Sequence, residues 1–154
     1  MNGPPLQVRD AVAADAPLIA EFNSALALES EGKRLDSDTV RRGVERALAQ
    51  PELCRYFLVE SAGHVAGQLM LTYEWTDWRD GVFWWIQSVY VRPEFRRQGA
   101  FRALFEHAAA LARSTSDVRG LRLYVEHQNH AAQATYERLG LAPSGHALYE
   151  IDWS

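Results

Sequence analysis

Gln87-Ser88-Val89-Tyr90-Val91-Arg92-Pro93-Glu94-Phe95-Arg96-Arg97-Gln98-Gly99-Ala100-Phe101-Arg102 carries the chain from a strand, through a basic loop, into a helix. The β-branched and aromatic run from Val82 to Val91 contains no turn former and reads as a strand. Pro93 ends that ladder, because it has no N–H to donate and fixes its own φ. Beyond Gly99, apolar residues fall at Phe101, Leu104, Phe105, Ala108, Leu111 and Ala112, the three-and-four spacing of a helix with one buried face. The first N–H groups of such a helix lack partners, the macrodipole is positive there, and a glycine lets an anion approach the backbone. A phosphate-bearing ligand is expected at this turn.

Working outward, Leu6 to Val12 alternates apolar and polar residues as a first strand. Asp15 and Pro17 suit the start of a helix buried along Leu18, Ile19, Phe22 and Leu26, and Gly32 breaks its period. Asp36, Ser37 and Asp38 offer caps to a second helix, with Val40, Val44, Ala47 and Leu48 inside and Pro51 past its end. Tyr56 to Ser61 and Val65 to Trp75 read as strands joined at Ala62-Gly63-His64, and Thr76 to Gly81 turns the chain into the central strand. Leu121 to Glu126 is a further strand, Asn129 to Leu139 a short helix closed by Gly140, and Leu141 to Trp153 a final strand or strands. The order is β-α-α-β-β-β-α-β-α-β, with no repeat or linker, so residues 1–154 are read as a single domain.

A chain of 154 residues with 47% hydrophobic content can bury a substantial core without staples. Its net charge of −4 argues against broad nucleic-acid binding and tolerates a small cationic ligand. The single cysteine, Cys54, excludes an internal disulfide framework and reads as a small buried hydrophobe. Met1-Asn2-Gly3-Pro4-Pro5 lacks the charged start and apolar run of a leader, and no apolar run reaches membrane-spanning length. A cytoplasmic location is expected. His127 and His130 have no third ligand spaced with them, so no metal is expected. Neither G-x-x-x-x-G-K-[ST] nor G-x-G-x-x-G occurs, which sets aside the P-loop and dinucleotide-binding readings.

Two motifs carry a family resemblance. Arg96-Arg97-Gln98-Gly99-Ala100-Phe101 resembles the R/Q-x-x-G-x-G/A signature of the GNAT N-acetyltransferases, departing from it at Phe101. Since only a backbone N–H is required at that position, the departure bears on packing more than on phosphate binding. Further on, Asn129, Ala132, Tyr136, Leu139 and Gly140 fall in register with the second GNAT motif. Asn129 also has a local role as an N-cap, and Gly140 suits a left-handed helix end. The resemblance covers most of the chain from Val65 onward. It implies an α/β fold with a GNAT-type mixed central sheet, mostly antiparallel, and helices on both faces.

The resemblance further implies acetyl-CoA as cosubstrate and direct attack by an amine on its thioester, with no covalent enzyme nucleophile. Val91 N–H is expected to polarise the acetyl carbonyl and Val89 to pair with the pantetheine amide. Gln98, Gly99, Ala100, Phe101 and Arg102 are expected to present N–H groups to the pyrophosphate, with Arg96 and Arg97 adding charge and Asn129 standing near. Tyr136 matches the family tyrosine and is the expected general acid for the departing thiolate. The central strand holds no carboxylate, so the base stays open among Glu74, Glu126 and a water chain that Gln87 and Ser88 could orient. Glu74 is favoured, because Trp75 and Trp78 could desolvate it.

For the acceptor, Glu29 and Glu31 beside Trp75, Trp78 and Gln87 suit an ammonium group by charge and cation–π attraction. Equally, the two glutamates could cover a helix end, and Trp84 or Trp85 could pack in the core. A small-molecule amine is the first expectation and a protein or peptide amine the second. A catalytically silent CoA-binding sensor is the competing class. Self-association as a homodimer is plausible through sheet edges.

Overall fold

The computed structural model describes residues 3–154, in which five strands form one sheet in the order β1-β2-β3-β4-β5. β1 (Leu6–Asp10), β2 (Cys54–Ser61), β3 (His64–Thr76) and β4 (Gly81–Val91) pair antiparallel, and β5 (Val118–Leu123) lies parallel to β4. The sheet is therefore mixed and mostly antiparallel, as the family resemblance implies. The β2–β3 connection is a two-residue turn in which Ala62 and Gly63 both take positive φ (50° and 78°), the twist-matched hairpin geometry. The parallel β4–β5 pair needs a crossover, and α3 (Ala100–Ser114) supplies it.

Alternation along β2 decides where the helices sit. Phe57 points to α3, its ring 4.8 Å from His107. Its neighbours Tyr56 and Leu58 point the other way, into a cluster with Ala16 and Ile19 of α1 (Ala16–Glu31) and Val44 of α2 (Ser37–Ala49). Helices thus cover both faces, and α3 touches all five strands. Each helix ends where its chemistry dictates. Gly32 closes α1 in the left-handed region (φ 64°), and the Asp36 carboxylate accepts from Thr39 N–H at 2.8 Å to start α2. Asp15 stands before α1 without capping it. Its carboxylate instead accepts from Val12 N–H at 2.7 Å and from both terminal nitrogens of Arg9, at 2.8 and 3.0 Å. Cys54 is buried, and that burial pushes its thiol above the ordinary range, as suits a packed side chain.

The chain divides into two compact units, one reaching to Leu123 and one from Tyr124 to Ser154. The second contains α4 (His130–Arg138), which Asn129 caps by accepting from Ala132 N–H at 3.1 Å. Gly140 takes φ 94° just past its end, as expected. The final strand read over Leu141–Trp153 does not form, and residues 141–154 carry no strand. Pro143 removes a donor there, Gly145 turns at φ 82°, and an unpaired strand has no ladder to hold it. The reading of Met1–Pro5 as leaderless falls partly on Met1 and Asn2, outside the described residues. Among the described residues no helix is long and apolar enough to cross a membrane.

Candidate active site

β4 is paired on both sides for only part of its length. Its ladder with β5 ends at Ile86↔Leu123, while its ladder with β3 continues to Gly67↔Val91. The edge of residues 87–91 that faces away from β3 is therefore open among the described strands. One irregularity sets what it presents: Met70 faces Ser88 while Leu71 faces Ile86, so Gln87 is a bulge. Beyond it, Arg92 N–H donates to the Ala66 carbonyl at 2.8 Å, which fixes the direction of every alternate amide. Tyr90 and Ser88 share that direction toward β3. Val89 and Val91 point their backbone groups to the open edge.

The loop after β4 bends through a short 3₁₀ turn, Pro93–Phe95. Arg97 then takes φ 63° and Gly99 φ 88°, two left-handed residues flanking Gln98. Alternating backbone hands of this kind converge N–H groups into an anion-binding concavity. The first bond of α3 runs from Ala103 N–H to the Gly99 carbonyl at 2.9 Å, which places the glycine at the start of the helix. Arg97 is exposed and enters no ion pair among the described residues. Arg102 pairs with Glu106 at 2.6 Å, and the Gln98 side chain donates to the Glu94 carbonyl at 2.8 Å.

Arg96 has a different task from the one read for it. Its Nε donates to the Val91 carbonyl at 2.9 Å and its Nη2 to Glu29 at 2.6 Å, with Tyr90 under the guanidinium at 5.8 Å. Tyr90 in turn packs on Phe22 of α1, ring centres 5.1 Å apart. Burial, then the nearby Glu29 charge, holds the Tyr90 phenol above its ordinary range. Arg96 thus ties the loop, the end of β4 and the end of α1 into one piece.

The structure does not bring Glu74 to this edge. It faces Phe83, and it lies seven residues along β3 from Gly67, the partner of Val91, a span of roughly 23 Å. Its carboxylate pairs with Arg122, whose guanidinium also lies 3.8 Å from the Phe83 ring centre. Trp75 faces Val82 at the same far end, and Trp75 and Trp78 are 63% and 90% exposed, too open to wall off a carboxylate. Trp84 is buried, with Tyr73 against it at 6.1 Å, and so belongs to the core. Glu31 pairs with Lys33 at 2.9 Å, and Gln87 accepts from the Thr72 hydroxyl at 3.3 Å. In the second unit Tyr136 is half-buried on α4, and burial raises its phenol above the usual range, so it stays protonated at neutral pH.

Two residues went unnoticed in the sequence. Tyr90 is the platform between Arg96 and Phe22, and nothing in an apolar strand marks one aromatic as such. Gly67 sits where an added Cβ would stand 2.5 Å from the Tyr90 carbonyl oxygen and 3.1 Å from Val91 Cα. A glycine inside a strand pattern is the available signal for such a close approach.

A mixed sheet that opens beside a phosphate-suited helix start defines a class of domain, one that lays an extended, phosphate-bearing ligand along a strand. The chain belongs to the acetyltransferase (GNAT) family, whose model matches residues 20–141, and it is an acetyltransferase. It is 29% identical over 117 residues to a Bacillus subtilis (strain 168) protein provisionally named a ribosomal protein bS18-alanine N-acetyltransferase, covering 76% of this chain and 73% of that one. Among solved structures, a possible acetyltransferase from Clostridium difficile 630 is 41% identical with a TM-score of 0.89, covering 96% and 97% of the two chains. The aminoglycoside N-acetyltransferase AAC(6')-Iy, solved with CoA, shares the fold at 14% identity and a TM-score of 0.79, covering 99% of this chain and 97% of that one.

Proposed function

We propose that this chain transfers the acetyl group of acetyl-CoA directly to the primary amine of a small molecule, in the cytoplasm and as a homodimer. The family match runs from residue 20 to residue 141, across the boundary between the two units, and this supports reading residues 1–154 as one working domain. The observation that carries the reading is the open β4 edge leading into the start of α3. The pyrophosphate lies on the amides of Gln98 to Arg102, with Arg97 supplying charge. An arm anchored there meets Val91 before Val89, which supports exchanging the roles read from sequence. Val91 pairs with the pantetheine amide, and Val89, nearer the bulge, polarises the acetyl carbonyl.

The amine must lose a proton to become a nucleophile. Water held at the bulge by Gln87 and Ser88 is the acceptor that fits the open edge. Tyr136 donates to the departing thiolate, and its raised pKa keeps that proton available. The acceptor site is drawn from Gln87 with Glu29 and Glu31 at the end of α1. The relative named for ribosomal protein alanine acetylation favours a second reading, a peptide N-terminal amine.

A thermal-shift titration with acetyl-CoA and with CoA tests the cosubstrate, and stabilisation by both is expected. CoA release measured with a panel of small amines and with an alanine-terminated peptide separates the two acceptors. Tyr136→Phe is expected to lower kcat by about 10²- to 10³-fold with little change in the acetyl-CoA thermal shift. A chain that binds CoA and turns over no amine would be a sensor and would overturn the enzymatic reading.

A further inference from the structure

Among the described residues two buried side-chain atoms make no hydrogen bond, Gln68 Oε1 and Arg92 Nε. Gln68 is 0% exposed, and buried polar groups are met by protein or by ordered water. One of these atoms accepts and the other donates. The sheet sets them side by side. Gln68 faces Tyr90, and Arg92 N–H donates to the Ala66 carbonyl, so Gln68 and Arg92 are diagonal neighbours on one face of β3 and β4. Such positions lie roughly 7–8 Å apart, within reach of long side chains. Consecutive residues of α1 close over both. Phe22 has the Arg92 guanidinium 5.2 Å from its ring centre, and Asn23 Oδ1 accepts from Gln68 Nε2 at 2.7 Å. The Asn23 bond engages the amide nitrogen and leaves the Gln68 carbonyl as a pure acceptor. The one ion pair of Arg92 is a long contact from Nη1 to Glu94 at 3.9 Å, which does not involve Nε.

We propose that a resident water bridges Gln68 Oε1 and Arg92 Nε, and that Gln68 is thereby a positioning residue for the end of β4. Chemistry selects water. The guanidinium refuses a cation, the carbonyl refuses an anion, and both atoms are sealed from anything as large as a metabolite. Water donates to the carbonyl and accepts from Nε–H, nearly as well as a direct bond would. The resulting chain, Asn23 to Gln68 to water to Arg92, joins α1, β3 and the residue that precedes Pro93. It is a second tie between α1 and the exit of β4, beside the half-exposed pair of Arg96 and Glu29. Salt screens the half-exposed tie and spares the buried one. Val91, between Tyr90 and Arg92, is held because both neighbours pack on Phe22. The positioning role rests on the acetyl-transfer reading, and the water does not.

A high-resolution crystal structure of the full chain is expected to show ordered water at hydrogen-bond distance from both atoms. Density touching fewer than both, or a direct bond between the two side chains, would overturn the proposal whether or not any variant folds. In a double-mutant cycle read by chemical denaturation, Gln68→Met with Arg92→Met is expected to lower the folding constant about tenfold less than the product of the two single losses. Strictly multiplicative losses would count against a shared partner. For the positioning role, Gln68→Met is expected to raise the KM for acetyl-CoA about fivefold with kcat little changed. A fall in kcat at unchanged KM would refute that role. A native chain with no acetyl-CoA thermal shift would sink the acetyl-transfer reading and the positioning role with it, while the water would still be decided by its density.

Discussion

Arg96 shows how much one guanidinium can organise. It holds a carbonyl at the end of β4 and a carboxylate at the end of α1 while lying over Tyr90. These partners sit at an angle that the planar fork of arginine serves and a lysine ammonium does not. Arg96→Ala is expected to raise the KM for acetyl-CoA by about tenfold, the loss of about 1.4 kcal/mol of binding, with kcat little changed. Arg96→Lys should rescue little of this, and Glu29→Gln should fall between; steady-state kinetics at saturating amine would check all three. At Gly67 the effect is steric. Gly67→Ala drives a Cβ against the Tyr90 carbonyl and should cost about 1–3 kcal/mol in chemical denaturation. It should also abolish the acetyl-CoA thermal shift, because it displaces the β4 edge on which the proposed function places the pantetheine arm. Asn129 was legible as a cap from its residue type and its place before an apolar period, and it caps α4. The role of Arg96 was not, for a basic residue in a phosphate-suited loop reads as a phosphate ligand until its partners, 67 positions away in the case of Glu29, are known.

At the level of elements, the strand–loop–helix at residues 87–102 was legible because each part obeys a local rule. β-branched residues make the strand, Pro93 stops it, and Gly99 turns the chain into an apolar-faced helix. What was hidden is pairing. The bulge at Gln87 and the early end of the β5 ladder depend on which strand lies alongside, and no spacing within β4 announces either. The same holds for the final strand expected over Leu141–Trp153. Its alternation is real, but a strand exists only with a partner, and the described chain supplies none. Glu74 failed as a companion of Val91 for a similar reason. Adjacent strands in a hairpin put a residue before the turn opposite one just after it, so Glu74 lands beside Phe83 and far from the end of β4.

For the molecule as a whole, acid stability rests on the ties that Arg9 makes from β1 to Asp15, at the entry to α1, and to Glu60 of β2. The Arg9 hydrogen bond holds the Asp15 carboxyl below its ordinary range, and Arg55 does the same for Asp10. A carboxyl depressed in the folded state adds stability above its unfolded pKa and loses it as pH falls through the folded value. Melting temperature should therefore hold level from neutral pH down to about pH 4 and drop below it. Asp15→Asn should lower the neutral melting temperature and flatten that acid limb, as thermal melts across pH would read. Mixed topology and helices on both faces were visible from element order and family resemblance together.

Because Gln87 stands unpaired between Ile86 and Ser88, even-numbered side chains of β4 change faces as the strand passes it. Trp84 and Ile86 lie on the side of Leu71, whereas Tyr90 lies on the side of Gln68 and α1. Excising that one residue would set Ser88 directly after Ile86, opposite Met70 and Leu71 in unbroken sequence, so the ladder would close with Tyr90 still opposite Gln68 and packed on Phe22. What would go is the local kink and the extra backbone unit just before the open edge. A one-codon deletion there is expected to keep the fold and reshape only the edge proposed for the ligand.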